Sequence, residues 1–207
     1  MDIGLYQAKY PFRKLIGWLV PLCKHLNPNW ISLALLPVGG MMAWCCWQGL
    51  QSGGPVFLLY AIFLGFLRMV LATLDGLVAT TYSKSTCVGD VLNRITPELC
   101  DLLLYPVLVL AVQPPAALGV SVLAMSWAIG FMGSAGAPSG VPVQSVGPCG
   151  QTDRLAAIMA TCALQFCFPS LPFFRLLLWC IVFGGTITLV LRARRTLKIA
   201  RETDAGV

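Results

Sequence analysis

Long apolar runs separated by short polar segments fill almost the whole of this 207-residue chain. The runs occupy about residues 30–47, 55–74, 99–112, 116–131 and 155–168, and a last one ends near residue 191. A helix needs about 20 mostly apolar residues to cross the hydrocarbon core of a bilayer, and the runs with their flanks approach that length. The pattern therefore predicts an all-α integral membrane protein with about six transmembrane helices.

The composition leaves no room for a separate water-soluble domain. Hydrophobic residues make up 57% of the chain and charged residues 11%, with a mean hydropathy of +0.80. We expect one membrane domain over residues 1–207, made of an interfacial amphipathic helix at 1–26, a six-span bundle at 30–191 and a basic cytoplasmic tail at 192–207.

The net charge of +6 does not indicate nucleic-acid binding, because the basic residues flank the apolar runs instead of forming a patch. When six spans alternate in direction, Arg13, Lys84, Arg154 and the basic tail fall on one side of the membrane, and only Arg175 falls opposite. Cytoplasmic segments of membrane proteins are enriched in Lys and Arg. The sequence therefore predicts a multi-pass protein of the cell (inner) membrane with both termini in the cytoplasm.

Charged and polar residues gather at one end of the second and third runs. Such residues cost about 3 kcal/mol each at the centre of a membrane helix, so a cluster of them predicts a functional site. Because the charges do not line a path across the membrane, a small transporter or channel is the least supported function. The cluster comprises Arg68, Asp75, Asp90, Asn93, Arg94, Glu98 and Asp101.

The stretch from residue 72 to 97 resembles the signature of the CDP-alcohol phosphatidyltransferase family, which reads D-x-x-D-G-x-x-A-R, eight residues, G-x-x-x-D-x-x-x-D. The spacing is kept without a gap: Asp75 matches the second Asp, Gly76 the first Gly, Ala79 the Ala and Gly89 the second Gly. Residues 28–32, Pro-Asn-Trp-Ile-Ser, are also similar to the start of the family's first span. The resemblance implies the family's six spans with cytoplasmic ends.

What the resemblance implies chemically is transfer of a phosphatidyl group from a CDP-linked lipid to an alcohol, with release of CMP. In the family, carboxylates hold two divalent cations, Mg²⁺ or Mn²⁺, which neutralise the diphosphate, and the last Asp is the base for the alcohol. By this resemblance Asp75 is the metal ligand in register, and Gly76, Ala79 and Gly89 contact the nucleotide. The implied partners are membrane lipids, among them the CDP-linked lipid, and a second copy of the chain in a homodimer.

Four functional positions depart from the signature, namely Ala72, Thr80, Asn93 and Pro97. Asn93 offers only a neutral amide oxygen as a weak metal ligand, and Pro97 occupies the position of the base. Asp101, one helical turn further on, is an alternative metal ligand and a substitute for the base. Asp90, Glu98 and Asp101 replace the missing ligands only if the third helix is rotated or shifted. The alternative function is therefore a catalytically silent relative that binds the nucleotide-lipid or partners an active paralogue.

Pro97 and two arginines leave three structural questions open. Pro97 either interrupts a single third helix, or Thr96-Pro97-Glu98 begins a new one with a cap, a first-turn proline and an acid. Arg68 is expected to neutralise Asp75 or Asp101 in place of a metal, or else to extend towards the headgroups. Arg154 either binds a phosphate headgroup at the start of the fifth span or is an interfacial residue of a capped helix.

Overall fold

The computed structural model describes residues 9–51, 53–135 and 146–205. Within these ranges the chain is helical and contains no strand. The helices are α1 (Lys9–Ile16), α2 (Pro28–Leu50), α3 (Val56–Thr81), α4 (Cys87–Val112), α5 (Ala116–Ala135), α6 (Gln151–Cys167) and α7 (Phe173–Ala205).

Five helices of the described residues, α2, α3, α4, α5 and α7, are long and apolar enough to cross a membrane. α6 has 17 residues and spans about 26 Å, slightly less than the hydrocarbon core. The predicted all-α membrane fold is confirmed, and the expected six spans are reached only if α6 is counted as a short sixth crossing. The side of the membrane on which the termini lie stays a prediction.

The N-terminal segment is less regular than the interfacial helix expected over residues 1–26. Residues 1–8 lie outside the described ranges, and α1 ends at Ile16. Two 3₁₀ turns follow, Gly17–Leu19 and Pro21–Cys23, because the Pro21 ring cannot donate a backbone hydrogen bond to a continuing α-helix. The segment packs along α3, where Val20 joins Ile31, Leu74 and Val78 in a small apolar cluster.

α4 packs against α2, α5 and α7, while α6 lies against α3 and α7. A single apolar core connects these helices, and many large apolar side chains on the outside are exposed, as lipid contact requires. The core includes Met42, Cys46, Leu58, Leu104, Leu108, Ile158, Cys162 and Leu178.

α4 is one continuous helix that passes through Pro97 and Pro106. Its N-cap is Thr86, whose side-chain oxygen accepts a hydrogen bond from the Gly89 backbone N–H at 3.0 Å. The Thr96 hydroxyl donates to the Leu92 carbonyl at 2.8 Å instead of capping a new helix. The alternative in which a helix begins at residues 96–98 is therefore wrong, and Pro97 lies inside α4.

Candidate functional site

Asp75 lies where the end of α3 meets the start of α2. The side chain is buried, and its Oδ2 accepts a hydrogen bond from the Ser32 hydroxyl of α2 at 2.5 Å. Its Oδ1 accepts one from the Gly76 backbone N–H at 2.6 Å. Both carboxylate oxygens are therefore engaged within the protein, which satisfies a charge that would be costly to bury unpaired.

The signature glycines bring three helix ends close together. A Cβ atom at Gly76 would lie 3.9 Å from Nδ2 of Asn93 on α4, and one at Gly89 would lie 3.0 Å from Oδ1 of Asn29 on α2. Asn93 is exposed and Gly76 half-buried, so they form a rim open to the outside. We call the junction of α2, α3 and α4 at which Asp75, Gly76, Gly89 and Asn93 lie the crevice.

Ala79 and Thr80 continue the crevice along α3. Ala79 is half-buried, and Thr80 is exposed in the position that the signature gives to Arg. The Thr80 hydroxyl donates to the Gly76 carbonyl at 2.8 Å, so it is bonded to its own helix and does not extend outward as an Arg would. Ala72, one turn before Gly76, is half-buried and brings no oxygen ligand.

A separate ion cluster lies one turn deeper, between α3, α4 and α6. Nη2 of Arg68 is 2.6 Å from Oδ1 of Asp101 and donates to the Pro97 carbonyl at 2.7 Å. Nη2 of Arg154 is 2.8 Å from Oδ2 of Asp101, an ion contact that is not aligned as a hydrogen bond. Asp101 therefore lies between two guanidinium groups, and Arg68 pairs with Asp101 and not with Asp75.

Glu98 completes the cluster on its outer side. Its Oε2 is 3.3 Å from Nη2 of Arg154, and its side chain is 31% exposed, against 6% for Asp101. A Cβ atom at Gly130 on α5 would come within 2.5 Å of the same oxygen, so a larger residue there would require the Glu98 carboxylate to move. We call Arg68, Glu98, Asp101 and Arg154 the ion cluster; its two positive and two negative charges balance.

Neither arginine extends to a headgroup. Arg68 is 2% and Arg154 1% exposed, and Arg154 Nη1 also donates to the Ser126 carbonyl at 3.1 Å. The guanidinium of Arg154 lies over the Tyr105 ring, 5.8 Å from the centroid, in a cation–π arrangement. The interpretations of Arg68 as a snorkelling residue and of Arg154 as an interfacial one are therefore wrong, because both are enclosed by protein.

The residues present do not fit the two-cation centre that the resemblance implies. A hard divalent cation needs several oxygen ligands and compensating negative charge. Asp75 and Asp101 already have partners, and Ala72 and Pro97 bring no side-chain oxygen. Among the residues that the structure describes, no group of three or more His, Cys, Asp or Glu side chains is arranged to hold a metal ion.

The helix arrangement has counterparts of known structure. The fold is similar to that of a phosphatidylinositol phosphate synthase. The crystal structure of the Mycobacterium tuberculosis enzyme with CDP-DAG bound superposes with a TM-score of 0.69 at 17% identity, covering 88% of this chain and 92% of that one. The same enzyme in complex with manganese and citrate gives 0.70 at 16% identity, covering 89% and 88%.

By sequence the chain is similar to the inner membrane protein YnbA of Escherichia coli. The two are 29% identical over 154 residues, which are 72% of this chain and 74% of that protein. No family model matches the sequence. The comparisons therefore establish a shared fold.

Sequence reasoning missed Arg192, which it assigned to the basic tail. Arg192 is buried: its Nη1 donates to the Ile129 carbonyl at 2.6 Å and its Nε to the Val146 carbonyl at 3.0 Å. It thus joins α7 to α5 and to the segment before α6. The sequence signal that would have placed Arg192 on the inner face of α7 is its spacing of four residues from Thr188, a polar residue inside the same apolar run.

Proposed function

We propose that this protein is a CDP-alcohol phosphatidyltransferase-like protein of phospholipid biosynthesis, located in the inner membrane, which takes a CDP-linked lipid as its ligand. One observation carries the proposal: the ungapped spacing of Asp75, Gly76, Ala79 and Gly89 coincides with a crevice in a fold similar to that of a synthase crystallised with CDP-DAG. The homodimer implied by the resemblance stays a prediction.

The crevice suits a ligand whose headgroup is polar and whose tails are apolar. It opens at the ends of three membrane helices, so a lipid can keep its acyl chains in the bilayer while the nucleotide lies against α3 and α4. Gly76 and Gly89 have no side chains that would prevent the nucleotide from approaching the backbone. In this proposal Asp75 and Asn93 border the headgroup, and Ala79 lies beside it.

Two versions of this function differ in whether the phosphatidyl group is transferred. In the first, an alcohol attacks the phosphorus of the bound lipid and CMP leaves. Pro97 has no group that accepts a proton, and Asp101 is held between Arg68 and Arg154. The first version therefore assigns proton removal to Glu98, the more exposed carboxylate of the ion cluster.

In the second version the protein binds the nucleotide-lipid, or partners an active paralogue, without transfer. The arrangement that favours it is the complete engagement of Asp75 and Asp101 by groups of the protein itself. Asp75 accepts a hydrogen bond on each of its oxygens from Ser32 and Gly76, and Asp101 is paired with two arginines, so a reacting group would compete with partners that belong to the protein.

The deciding experiment measures binding and turnover on the same purified protein in nanodiscs. Binding of radiolabelled CDP-diacylglycerol and release of CMP are followed with a panel of alcohols, in Mg²⁺, Mn²⁺ or chelator. CMP release that is lost in Glu98→Gln supports the first version, and binding without release supports the second. A protein that neither binds CDP-diacylglycerol nor releases CMP contradicts the proposed function.

Gly76→Ala is the informative variant for the position of the ligand. The added methyl group meets no atom closer than 3.9 Å, so the fold should tolerate it while the crevice becomes narrower. We expect CDP-diacylglycerol binding to weaken about tenfold, the factor that corresponds to 1.4 kcal/mol. Gly17→Ala, at a glycine with open space and outside the crevice, is the matched control.

A further inference from the structure

The charged side chains of the ion cluster lie largely inside the protein, so their charges must be balanced there. Removing a charged group from water costs several kcal/mol, and the cost is recovered only by close partners of opposite sign. Here Arg68 on α3 and Arg154 on α6 contact opposite oxygens of Asp101 on α4. The carboxylate therefore links three helices through fixed cations that belong to the chain itself.

Guanidinium groups and divalent cations make opposite demands on the surrounding residues. A divalent cation needs a surplus of carboxylates, whereas an arginine brings the positive charge and the hydrogen-bond donors together. The chain has Ala72, Asn93 and Pro97 in place of three signature carboxylates. Arg68 is one helical turn before Ala72, and its guanidinium donates to the Pro97 carbonyl. The carboxylates are thus absent from the positions where a divalent cation would need them as ligands. The positive charge of the arginines lies one helical turn deeper.

We infer that Arg68 and Arg154 serve this protein as built-in cations in place of a divalent metal, so that the helix bundle and its crevice are independent of metal. This inference concerns the ion cluster and does not rest on the proposed function. It also gives Asp101 a role: Asp101 is the anion that fixes α3 and α6 to α4, and not a metal ligand.

The first test measures metal dependence on the full chain in nanodiscs. Thermal unfolding is recorded in EDTA and in millimolar Mn²⁺, and Mn²⁺ binding is measured by electron paramagnetic resonance. We expect the same unfolding midpoint in both solutions and no saturable Mn²⁺ site. A midpoint that falls in EDTA, recovers in Mn²⁺ and loses this response in Asp75→Asn would overturn the inference.

A gain-of-metal variant provides the matched comparison. Ala72→Asp, Asn93→Asp and Pro97→Asp are combined to restore the signature carboxylates, and this protein is expected to bind Mn²⁺ saturably and to unfold at a higher temperature in its presence. Asp90→Asn, at an exposed position of the first turn of α4, controls for non-specific binding. If the combined variant does not fold, the measurements on the parent protein still decide.

The second test examines the cations themselves. Asp101→Leu alone leaves the buried Arg68 guanidinium without its anion and Arg154 with Glu98 as its remaining anion, so the unfolding midpoint should fall well below that of the parent. Adding Arg68→Met to it should restore part of the loss. An Asp101→Leu protein as stable as the parent would overturn the role assigned to the cluster. CDP-diacylglycerol binding is measured in parallel, so failure of the metal inference and failure of the proposed function give different results.

Discussion

Gly39 of α2 lies directly against Cys100 of α4: a Cβ atom at position 39 would come within 2.6 Å of the Cys100 sulfur. That sulfur donates a hydrogen bond to the Leu35 carbonyl, one turn earlier on α2, at 3.2 Å. Small residues allow membrane helices to approach closely and gain packing contacts. The contact holds α2 against α4 just beside Asp101, so it supports both the crevice and the ion cluster.

We predict that Gly39→Ala lowers the free energy of unfolding by about 1–3 kcal/mol, the usual cost of overpacking. Gly40→Ala is the control, because a Cβ atom there meets nothing within 4 Å. Alanine is also the better helix former by about 1 kcal/mol, so this neighbour should be neutral or slightly stabilising. Unfolding of both variants in mixed detergent is the measurement; equal stabilities would contradict the close contact.

The second prediction concerns Arg192 and depends on the geometry of its hydrogen bonds, not on the volume of a side chain. The guanidinium of Arg192 donates hydrogen bonds to two carbonyls, those of Ile129 and Val146. A lysine carries a single ammonium group on a flexible stem, which does not reproduce the planar, forked arrangement of guanidinium donors. Arg192→Lys should therefore cost about 1–3 kcal/mol of stability, since at least one of these two hydrogen bonds from a charged group is lost. Arg195→Lys, at an exposed position of the same helix, should change little. Thermal unfolding in detergent distinguishes the two, and an unaffected Arg192→Lys protein would contradict the assignment.

The membrane helices and their order could be predicted from hydropathy, because a membrane allows few alternatives for a long apolar run. The partner of Arg68 could not. Asp75 and Asp101 were equal candidates by sequence spacing, and the choice depends on the rotation of α4 relative to α3. Ser32 on α2 engages Asp75, which leaves Asp101 to Arg68.

Residues 96–98, inside α4, show why local signals were ambiguous. Thr96-Pro97-Glu98 has the residues of a helix start, yet the Thr96 hydroxyl bonds back to Leu92 and the helix continues. The Pro97 carbonyl is stabilised by Arg68, a residue 29 positions earlier in the chain. Tertiary contacts of this kind override local preference, and no window of the sequence contains them.

The orientation of the chain can be tested with its own cysteines. Cys87, at the start of α4, and Cys167, at the end of α6, are both exposed. With both termini cytoplasmic, a membrane-impermeant maleimide should label a Cys167-only variant in spheroplasts and a Cys87-only variant only in inverted vesicles. Burial raises the pKa of the Cys149 thiol, so a Cys149-only variant should label slowly from either side. The reverse pattern for Cys87 and Cys167 would contradict the predicted topology.

At Tyr105 the contribution of ring packing to the free energy of unfolding can be separated from that of hydrogen bonding. Its ring is fully buried beneath the Arg154 guanidinium, and its hydroxyl has no hydrogen-bond partner among the described residues. Tyr105→Phe keeps the ring and the cation–π contact while removing an unsatisfied polar group, so it should raise the free energy of unfolding by about 1 kcal/mol. Tyr60→Phe, at an exposed position, should have no effect. If Tyr105→Phe destabilises the protein instead, the hydroxyl has a partner in the membrane-embedded state, and the ion cluster extends further than its four charged residues.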